Sequence, residues 1–483
     1  MSNVKKNLGL QTAYQVLSAC MPLITAPYLA RKLGAAQLGV FSYTTSVVLY
    51  FTLVAMLGTV NYGTRSVASA KNNRSQRSDV FSGIFALQII VTLIATAAYA
   101  VYLSFFCSEN RLIALLQGIA LISCLVDVNW LFFGVEDFQI TVTRSVVIKI
   151  VSVCLILLLV KREADLWIYT LIMTGSTLVS NAVLFVRLPK YVAFTRVSVE
   201  TIKKHIKPNL VLFVPLLAMT VYHTMDKTML GLLSTYEQSG FYYNSDKIVQ
   251  IPLLVINGIG TVMLPRISAL LANGKQSEAN DQFIATLEGV AVTSIAMACG
   301  IAAVSNEFVP IFFGAGYEPC VALTIVFTPI FLFKGSSVII RTQYLIPMKM
   351  EREFTKSVVV GAVVNLILNF ILIPLYGAMG AAIATVVAEI AACAIQLRSL
   401  RGKDLDFGKT LARTCVYAII GLLMAGIVRV VALIRVNTTV KLALEIVVGA
   451  SFYGTLCVLY WKRTNNRIFE TVCLPVLKKL KRA

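Results

Sequence analysis

Residues 222–266 decide the fold class, and they read YHTMDKTMLGLLSTYEQSGFYYNSDKIVQIPLLVINGIGTVMLPR. Two long apolar segments meet in this stretch across a short turn. Each segment contains an acid beside a base, Asp226-Lys227 and Asp246-Lys247. If both segments cross a bilayer, four charges lie at membrane depth, where each costs roughly 2.5–3.5 kcal/mol on insertion scales. Charged residues at such positions usually line a polar interior, so the stretch predicts membrane-spanning helices with a functional interior.

The composition extends this prediction to the whole chain. Of its 483 residues, 58% are hydrophobic and 14% are charged, whereas soluble domains contain roughly 25% charged residues. Apolar runs of spanning length, about 17–25 residues, recur from end to end. We therefore predict an all-α polytopic membrane protein with about 14 transmembrane helices, at residues 9–30, 37–58, 80–105, 112–134, 144–160, 166–187, 209–233, 242–264, 283–304, 321–345, 355–374, 378–397, 411–434 and 440–461.

The net charge of +20 predicts the orientation of these spans. Basic residues punctuate the apolar runs instead of forming one patch, so no nucleic-acid partner is expected. With the N-terminus inside, most of the 43 Lys and Arg residues fall on or beside the inner segments and few on or beside the outer ones. Because cytoplasmic loops are enriched in Lys and Arg, both termini are predicted to face the cytoplasm.

A weak internal repeat predicts two similar halves. Sliding the chain by 201 positions places Gly39 on Gly240 and Arg65 on Arg266. An even number of spans separates the copies, so the halves share an orientation and would form two parallel six-helix repeat lobes around a central cavity. The predicted domains are an N-terminal lobe, a cytoplasmic linker, a C-terminal lobe, and two additional helices with a basic tail, at residues 1–187, 188–208, 209–400 and 401–483.

Catalytic and metal-binding patterns do not stand out. The ten cysteines form no CxxC pair, and seven of them fall inside apolar runs, which is typical of small buried hydrophobic residues. The sequence contains two histidines and neither a GxSxG nor an HExxH motif. We therefore expect a protein that is not an enzyme, with no cofactor and no metal. Coupling to a proton, sodium or the membrane potential is left open as the energy source.

Four segments carry a resemblance to a known family. They are APYLARKLGAAQLGVFSY (26–43), NWLFFGVEDFQ (129–139), DKTMLG with GFYY and VMLPRIS (226–268), and the stretch from TQYLIP to ATVVAE (342–389). In this order and at this spacing, the chain resembles the polysaccharide and O-antigen repeat-unit flippases of Wzx type. These belong to the polysaccharide transporter family of the multidrug/oligosaccharidyl-lipid/polysaccharide (MOP) exporter superfamily. The resemblance covers residues 7–400.

The resemblance implies a function that composition cannot specify. It implies alternating access between two lobes. The substrate would be an undecaprenyl-pyrophosphate-linked oligosaccharide repeat unit, moved from the cytoplasmic to the periplasmic leaflet of a bacterial inner membrane. Membrane lipids would be partners, together with a polysaccharide polymerase and a chain-length regulator. The units would be those of O-antigen, capsule or exopolysaccharide.

Basic residues within or at the ends of spans are the candidates for a cationic substrate site. Guanidinium groups fit phosphate oxygens in bidentate fashion, which suits a pyrophosphate. Lys334 and Arg341 are seven residues apart, so they share one helix face. Anchoring at the membrane surface or pairing with an acid are the alternative interpretations. The full set of candidates is Arg65, Lys227, Lys247, Arg266, Lys334 and Arg341.

Four acids in or near apolar spans are candidates for ion coupling or for structural ion pairs: Asp127, Asp226, Asp246 and Glu389. Asp226 and Lys247 lie at similar predicted depths, so they could pair across the turn. Asp127 or Glu389 could instead neutralise Lys334 and Arg341, and such pairs would need no transport role.

Three other functions remain open from the sequence. A lipid II flippase or a multidrug/cation antiporter of the same superfamily would share the fold, although an antiporter for cations would favour an acidic interior and usually stops at twelve spans. A membrane polysaccharide polymerase or acyltransferase is more remote, because such polymerases usually carry a large periplasmic loop. The longest outer break here, at residues 305–320, has about sixteen residues.

Overall fold

The computed structural model describes residues 2–70, 72–403, 405 and 407–466, with the side chains of residue 18 and of the described residues from 21 onward. The predicted basic tail after residue 466 lies outside the described residues. All regular elements in the described part are helical. The chain divides into two compact units, Met1–Tyr243 and Asn244–Ala483. The predicted boundaries of the two lobes stay a prediction.

The first unit contains nine α-helices and the beginning of a tenth, together with two short 3-10 helices, Glu163–Asp165 and Leu188–Lys190. They are α1 Ser2–Met56, α2 Thr59–Ser69, α3 Arg74–Phe105, α4 Arg111–Gln117, α5 Ile119–Leu125, α6 Asn129–Gly134, α7 Phe138–Leu159, α8 Leu166–Val186, α9 Val199–Leu233 and α10 Tyr236–Ala272.

The second unit contains the remainder of α10 and the following helices. These are α11 Gln276–Phe313, α12 Pro319–Phe327, α13 Ile330–Ile340, α14 Glu351–Tyr376, α15 Ala378–Ser399, α16 Phe407–Val431 and α17 Thr438–Arg463. A single π-helical turn, Arg341–Leu345, follows α13.

Twelve segments in the described residues are long and apolar enough to cross a membrane. Two details separate this number from the fourteen predicted spans. The first two predicted spans run on as one helix that is interrupted at Gly34, where φ is 74° and ψ is 170°. The fourth span, 112–134, is broken into the short helices α4, α5 and α6. The predicted class, an all-helical polytopic membrane protein, is confirmed.

The linker predicted at 188–208 is irregular only in part. Residues 199–208 already belong to α9, which begins early because the Ser198 side chain accepts a hydrogen bond from the Thr201 amide. The irregular segment before it is fastened to α3, since the side chain of Arg77 donates to the Tyr191 carbonyl. Burial and a 2.6 Å hydrogen bond to Asp137 raise the pKa of the Tyr191 phenol to about 12.

Helix α1 and the beginning of α10 approach each other closely at two glycines. A Cβ atom on Gly39 would collide with the backbone carbonyl of Tyr236, and one on Gly240 would collide with that of Ala35. Helix α1 and the beginning of α10 therefore touch backbone to backbone at the two positions that the repeat aligns. Small residues permit this kind of contact between membrane helices.

The second unit holds its last two helices against α11. An apolar cluster there joins Ile295 of α11 to Tyr417 and Met424 of α16 and to Tyr453 and Cys457 of α17. The two additional helices predicted after residue 401 thus exist and pack within their own unit.

Candidate functional site

The acid and the base of the charged doublet on α9 have different surroundings. Asp226 is 4% exposed and accepts a 2.6 Å hydrogen bond from the Tyr242 hydroxyl. The Lys227 ammonium lies 5.9 Å from the centroid of the Tyr243 ring, close enough for a cation–π interaction. Successive helical residues point about 100° apart, which explains why the acid and the base of one doublet have different surroundings.

A cluster of hydroxyl groups lies one residue further along α9. Thr228 donates to the Ser46 hydroxyl at 2.9 Å and to the Tyr50 hydroxyl at 3.2 Å, and both acceptors lie on α1. Ser46 is the residue that the repeat aligns with Lys247, and no role was expected for it. Within the first unit, α1 and the C-terminal part of α9 therefore share a polar face.

Asp127 lies in the break between α5 and α6. Its carboxylate acts there as a hydrogen-bond acceptor in place of a helical carbonyl. Its Oδ1 atom accepts from the backbone amide of Asn129 at 3.0 Å and from the side-chain amide at 2.7 Å. Asn129 in turn bonds to Asn181, and Arg144 donates to Asn129 at 3.0 Å. This geometry explains a structural role for the acid without a coupled ion.

The second doublet, on α10, and the candidates Arg65 and Arg266 have fewer described partners. Asp246 is partly buried and accepts from the Gln250 side chain at 2.9 Å. Lys247 is partly buried on the same helix. Arg65 on α2 and Arg266 on α10 are both exposed, each in its own unit. The pairing of Asp226 with Lys247 stays a prediction.

Lys334 and Arg341, the basic residues predicted to share a face, differ in their partners. The Lys334 ammonium is 3.0 Å from a carboxylate oxygen of Glu389, whose side chain is 6% exposed. This ion pair ties α13 to α15. The Arg341 guanidinium instead lies 5.4 Å from the centroid of the Phe354 ring, and its Nε atom is buried without a hydrogen-bond partner. Within the described residues, no carboxylate pairs with Arg341.

Sequence reasoning missed the most extensive polar cluster of the second unit. Glu288 of α11 is 3% exposed and accepts from the Arg413 guanidinium at 2.8 Å and the Tyr417 hydroxyl at 2.6 Å. Asn466 also donates to it at 2.6 Å, and the Trp461 indole donates to the Tyr417 hydroxyl. A single acid in the predicted span 283–304, and a base near the beginning of the span 411–434, were the available signals.

Two further acids of the second unit were also missed. Glu307 of α11 lies 3.4 Å from the Arg429 guanidinium of α16, which donates as well to the Ala303 carbonyl. Glu445 on α17 is fully buried, and its carboxylate oxygens accept no hydrogen bond from a described residue. Both acids fall outside the motifs that carried the resemblance.

No group of three metal-ligating side chains occurs among the described residues. The eight cysteines that the structure describes are free thiols. The spans thus contain charges that are mostly held by hydrogen bonds or ion pairs inside a bundle of helices, with one guanidinium that faces an aromatic ring.

The described part of the chain is a helical bundle with charges fixed inside its candidate membrane spans, and solved structures place this fold more closely. The lipid II flippase MurJ, in an inward closed conformation, matches with a TM-score of 0.76 at 13% identity, covering 94% of this chain and 99% of that one. An inward-facing multidrug resistance transporter of the MATE family, from the MOP superfamily, matches with a TM-score of 0.60 at 13% identity, covering 84% and 95%. Identities this low show the fold alone.

The sequence comparisons identify the family. The family model described as "Polysaccharide biosynthesis protein" matches residues 4–271, and the chain belongs to this family. A relative from Escherichia coli (strain K12), described as a candidate O-antigen transporter, is 22% identical over 419 residues, which cover 83% of this chain and 98% of the relative. The predicted family resemblance is confirmed. These proteins are named as transporters and flippases, which confirms that the chain is not an enzyme.

Proposed function

We propose that the chain is a flippase that moves lipid-linked oligosaccharide repeat units across a bacterial cytoplasmic membrane by alternating access. The proposed substrate carries undecaprenyl pyrophosphate, and the glycan belongs to O-antigen, capsule or exopolysaccharide. Family membership and the E. coli relative support the coarse function. The particular lipid, and a polymerase or chain-length regulator as partners, follow from the resemblance alone.

The observation that carries the proposal is which buried charges have an oppositely charged partner and which do not. The two buried acids of α11 and α15 are already matched, since Glu389 pairs with Lys334 and Glu288 with Arg413. Arg341 keeps its positive charge without a described carboxylate, whereas the unmatched acid Glu445 lies on α17, one of the two additional helices. Surplus positive charge beside the ion pair of α13 and α15 suits an anionic pyrophosphate better than a cationic drug.

Two other substrates compete on the basis of fold. The multidrug transporter and the lipid II flippase share this fold, so shape does not distinguish them. The matched acids argue against a cation antiporter. Rescue of a strain depleted of its own lipid II flippase would favour lipid II as the substrate, and rescue of surface polysaccharide in a flippase-deletion strain would favour the repeat unit.

Replacement of Arg341 tests the proposal directly. In a deletion strain complemented with Arg341→Ala, we expect surface polysaccharide to fall at least about tenfold and lipid-linked intermediates to accumulate in the cytoplasmic leaflet, because one desolvated charge-assisted contact is worth about 1.5–3 kcal/mol. Arg341→Lys should recover part of the activity, since an ammonium keeps the charge but lacks the planar fork. Arg352→Ala, an exposed position on α14, serves as the control.

The amounts of each variant in the membrane, measured by immunoblot, separate transport from folding. Full surface polysaccharide from Arg341→Ala at wild-type protein levels would contradict the role of this residue. The proposed inner-membrane location, with both termini cytoplasmic, is tested separately. Single loop cysteines in a cysteine-free background are labelled with a membrane-impermeant reagent.

A further inference from the structure

A basic cleft lies where α14 begins and α15 ends. Its volume is about 570 Å³, and its lining contains four bases and one acid. Two apolar side chains and a serine complete the wall. We name this the α14–α15 cleft, and its charged lining residues are Glu353, Lys356, Arg398, Arg401 and Lys403.

The four bases of the cleft are exposed, and none forms an ion pair or hydrogen bond with a described residue. Elsewhere in the same unit, by contrast, Lys334, Arg413 and Arg429 each meet a carboxylate. Asp404 and Asp406 lie outside the described residues. Four like charges that converge on one concavity repel each other, and a bound anion would relieve that repulsion.

The position of the cleft matches the depth of lipid headgroups. Helix α15 contains 22 residues, which at about 1.5 Å per residue is about 33 Å, close to the roughly 30 Å hydrocarbon thickness of a bilayer. Its ends therefore lie at the two headgroup layers. Basic pockets between the ends of membrane helices are suited to phosphate-bearing headgroups, and the forks of Arg398 and Arg401 can each donate to phosphate oxygens in pairs.

We propose that the α14–α15 cleft is a binding site for the phosphate group of an anionic membrane lipid. Three segments supply the cationic groups: Lys356 from α14, Arg398 from α15, and Arg401 with Lys403 from the turn that follows. The site is separate from the residues assigned to transport, and its existence does not depend on the proposed function. An anionic phospholipid and a polyprenyl diphosphate present the same chemistry, so the experiment distinguishes these two sources.

The test measures the affinity of the purified full-length protein for fluorescent phosphatidylglycerol in detergent micelles by anisotropy. Near a membrane surface each base contributes about fivefold in affinity. The variant Lys356→Gln/Arg398→Gln/Arg401→Gln should therefore weaken binding on the order of a hundredfold. The matched control, Lys203→Gln/Lys204→Gln/Lys207→Gln, removes three exposed bases from α9 and should weaken binding by less than about threefold.

Competition identifies the source. Displacement of the labelled lipid by phosphatidylglycerol, with farnesyl diphosphate weaker, supports a phospholipid site; stronger displacement by farnesyl diphosphate supports a site for polyprenyl diphosphates. Equal affinity for phosphatidylglycerol and phosphatidylcholine would overturn the proposal, and so would equal losses in the two triple variants. Thermal unfolding of both variants checks that each is folded, and the single variant Arg398→Gln provides a milder version of the same comparison.

Discussion

Hydrogen-bond donors hold four of the acids that lie buried in or between the spans, and this is the main regularity at the scale of single residues. Asp226 accepts from a tyrosine, Asp127 from an asparagine, and Glu288 and Glu389 from cationic side chains. Lipid offers no hydrogen bonds, so a carboxylate without donors would cost several kcal/mol. Glu445 departs from this pattern among the described residues. The sequence indicates Asp127, Asp226 and Glu389, because they interrupt apolar runs, but Glu288 and Glu445 were missed.

The partners are harder to predict than the acids. The sequence offers Lys334 with Glu389 only as one pairing among several, because the two residues lie on helices that are not neighbours in the chain. Nothing in the apolar pattern indicates the aromatic partner of Arg341 or the tyrosine partner of Asp226. Rotation of each helix about its own axis decides such contacts, and a uniformly apolar span leaves that rotation undetermined by pattern.

The Lys334–Glu389 pair makes a prediction about stability. Glu389→Gln should lower the free energy of unfolding by about 3 kcal/mol, because the substitution leaves a largely buried ammonium uncompensated. The double variant Lys334→Met/Glu389→Leu should recover at least half of that loss, since neither charge then remains buried. Thermal unfolding in detergent micelles measures both. If Glu389→Gln unfolds at the wild-type temperature, the pair is not holding α13 against α15.

At the scale of elements, the repeat alignment picks out the two glycines at which α1 and α10 touch. The repeat alignment pairs Gly39 with Gly240, and the structure places both where the helix backbones meet. The alignment gives no reason for the pairing. Close approach of the two helix backbones supplies it, because neither position has room for a Cβ atom.

Gly39→Ala should therefore separate α1 from α10 and reduce the yield of folded protein. The new methyl group would occupy the position of the Tyr236 carbonyl, and overpacking of this kind typically costs about 1–3 kcal/mol. Gly175→Ala is the matched control, because no atom lies within 4 Å of the place that its Cβ would take, and alanine favours a helix there. Size-exclusion chromatography of fluorescently tagged variants measures the yield. Equal yields of the two variants would mean that the contact tolerates a methyl group.

Broken spans mark the limit of prediction from apolar runs. The predicted count of about fourteen is close, yet hydropathy does not indicate the division of residues 112–134 into three short helices. The reason is local: Asp127 takes the Asn129 amide as a hydrogen-bond donor, which ends one helix and begins the next. The sequence Asp-Val-Asn at 127–129 favours a turn. The apolar residues on both sides nevertheless make the segment resemble one continuous span.

At the scale of the whole molecule, one acid and its donors add to the apolar cluster that joins the last two helices to α11. Glu288 receives hydrogen bonds from α16 through Arg413 and Tyr417, and from Asn466 just beyond α17. Composition predicts two additional helices after residue 401. It cannot predict where they attach, because their apolar faces fit many neighbours equally well.

Glu288→Ala should destabilise the protein by about 3 kcal/mol, since it leaves the Arg413 guanidinium without its carboxylate. Glu278→Ala, on the same helix α11, removes an exposed pair with Lys275 and should change stability by less than about 1 kcal/mol. Thermal unfolding, with limited proteolysis after residue 431, measures the loss. Equal stability of the two variants would show that apolar packing alone attaches α16 and α17.

The carboxylate of Glu288 also limits how this chain can be shortened. A version that stops before α16 would retain Glu288 in a span while losing Arg413, Tyr417 and Asn466 together. The shorter bundle would then contain a carboxylate without these hydrogen-bond donors. A truncated version would therefore also need a neutral residue at position 288. Loss of α16 and α17 would therefore leave an unmatched charge on α11 in addition to removing apolar contacts.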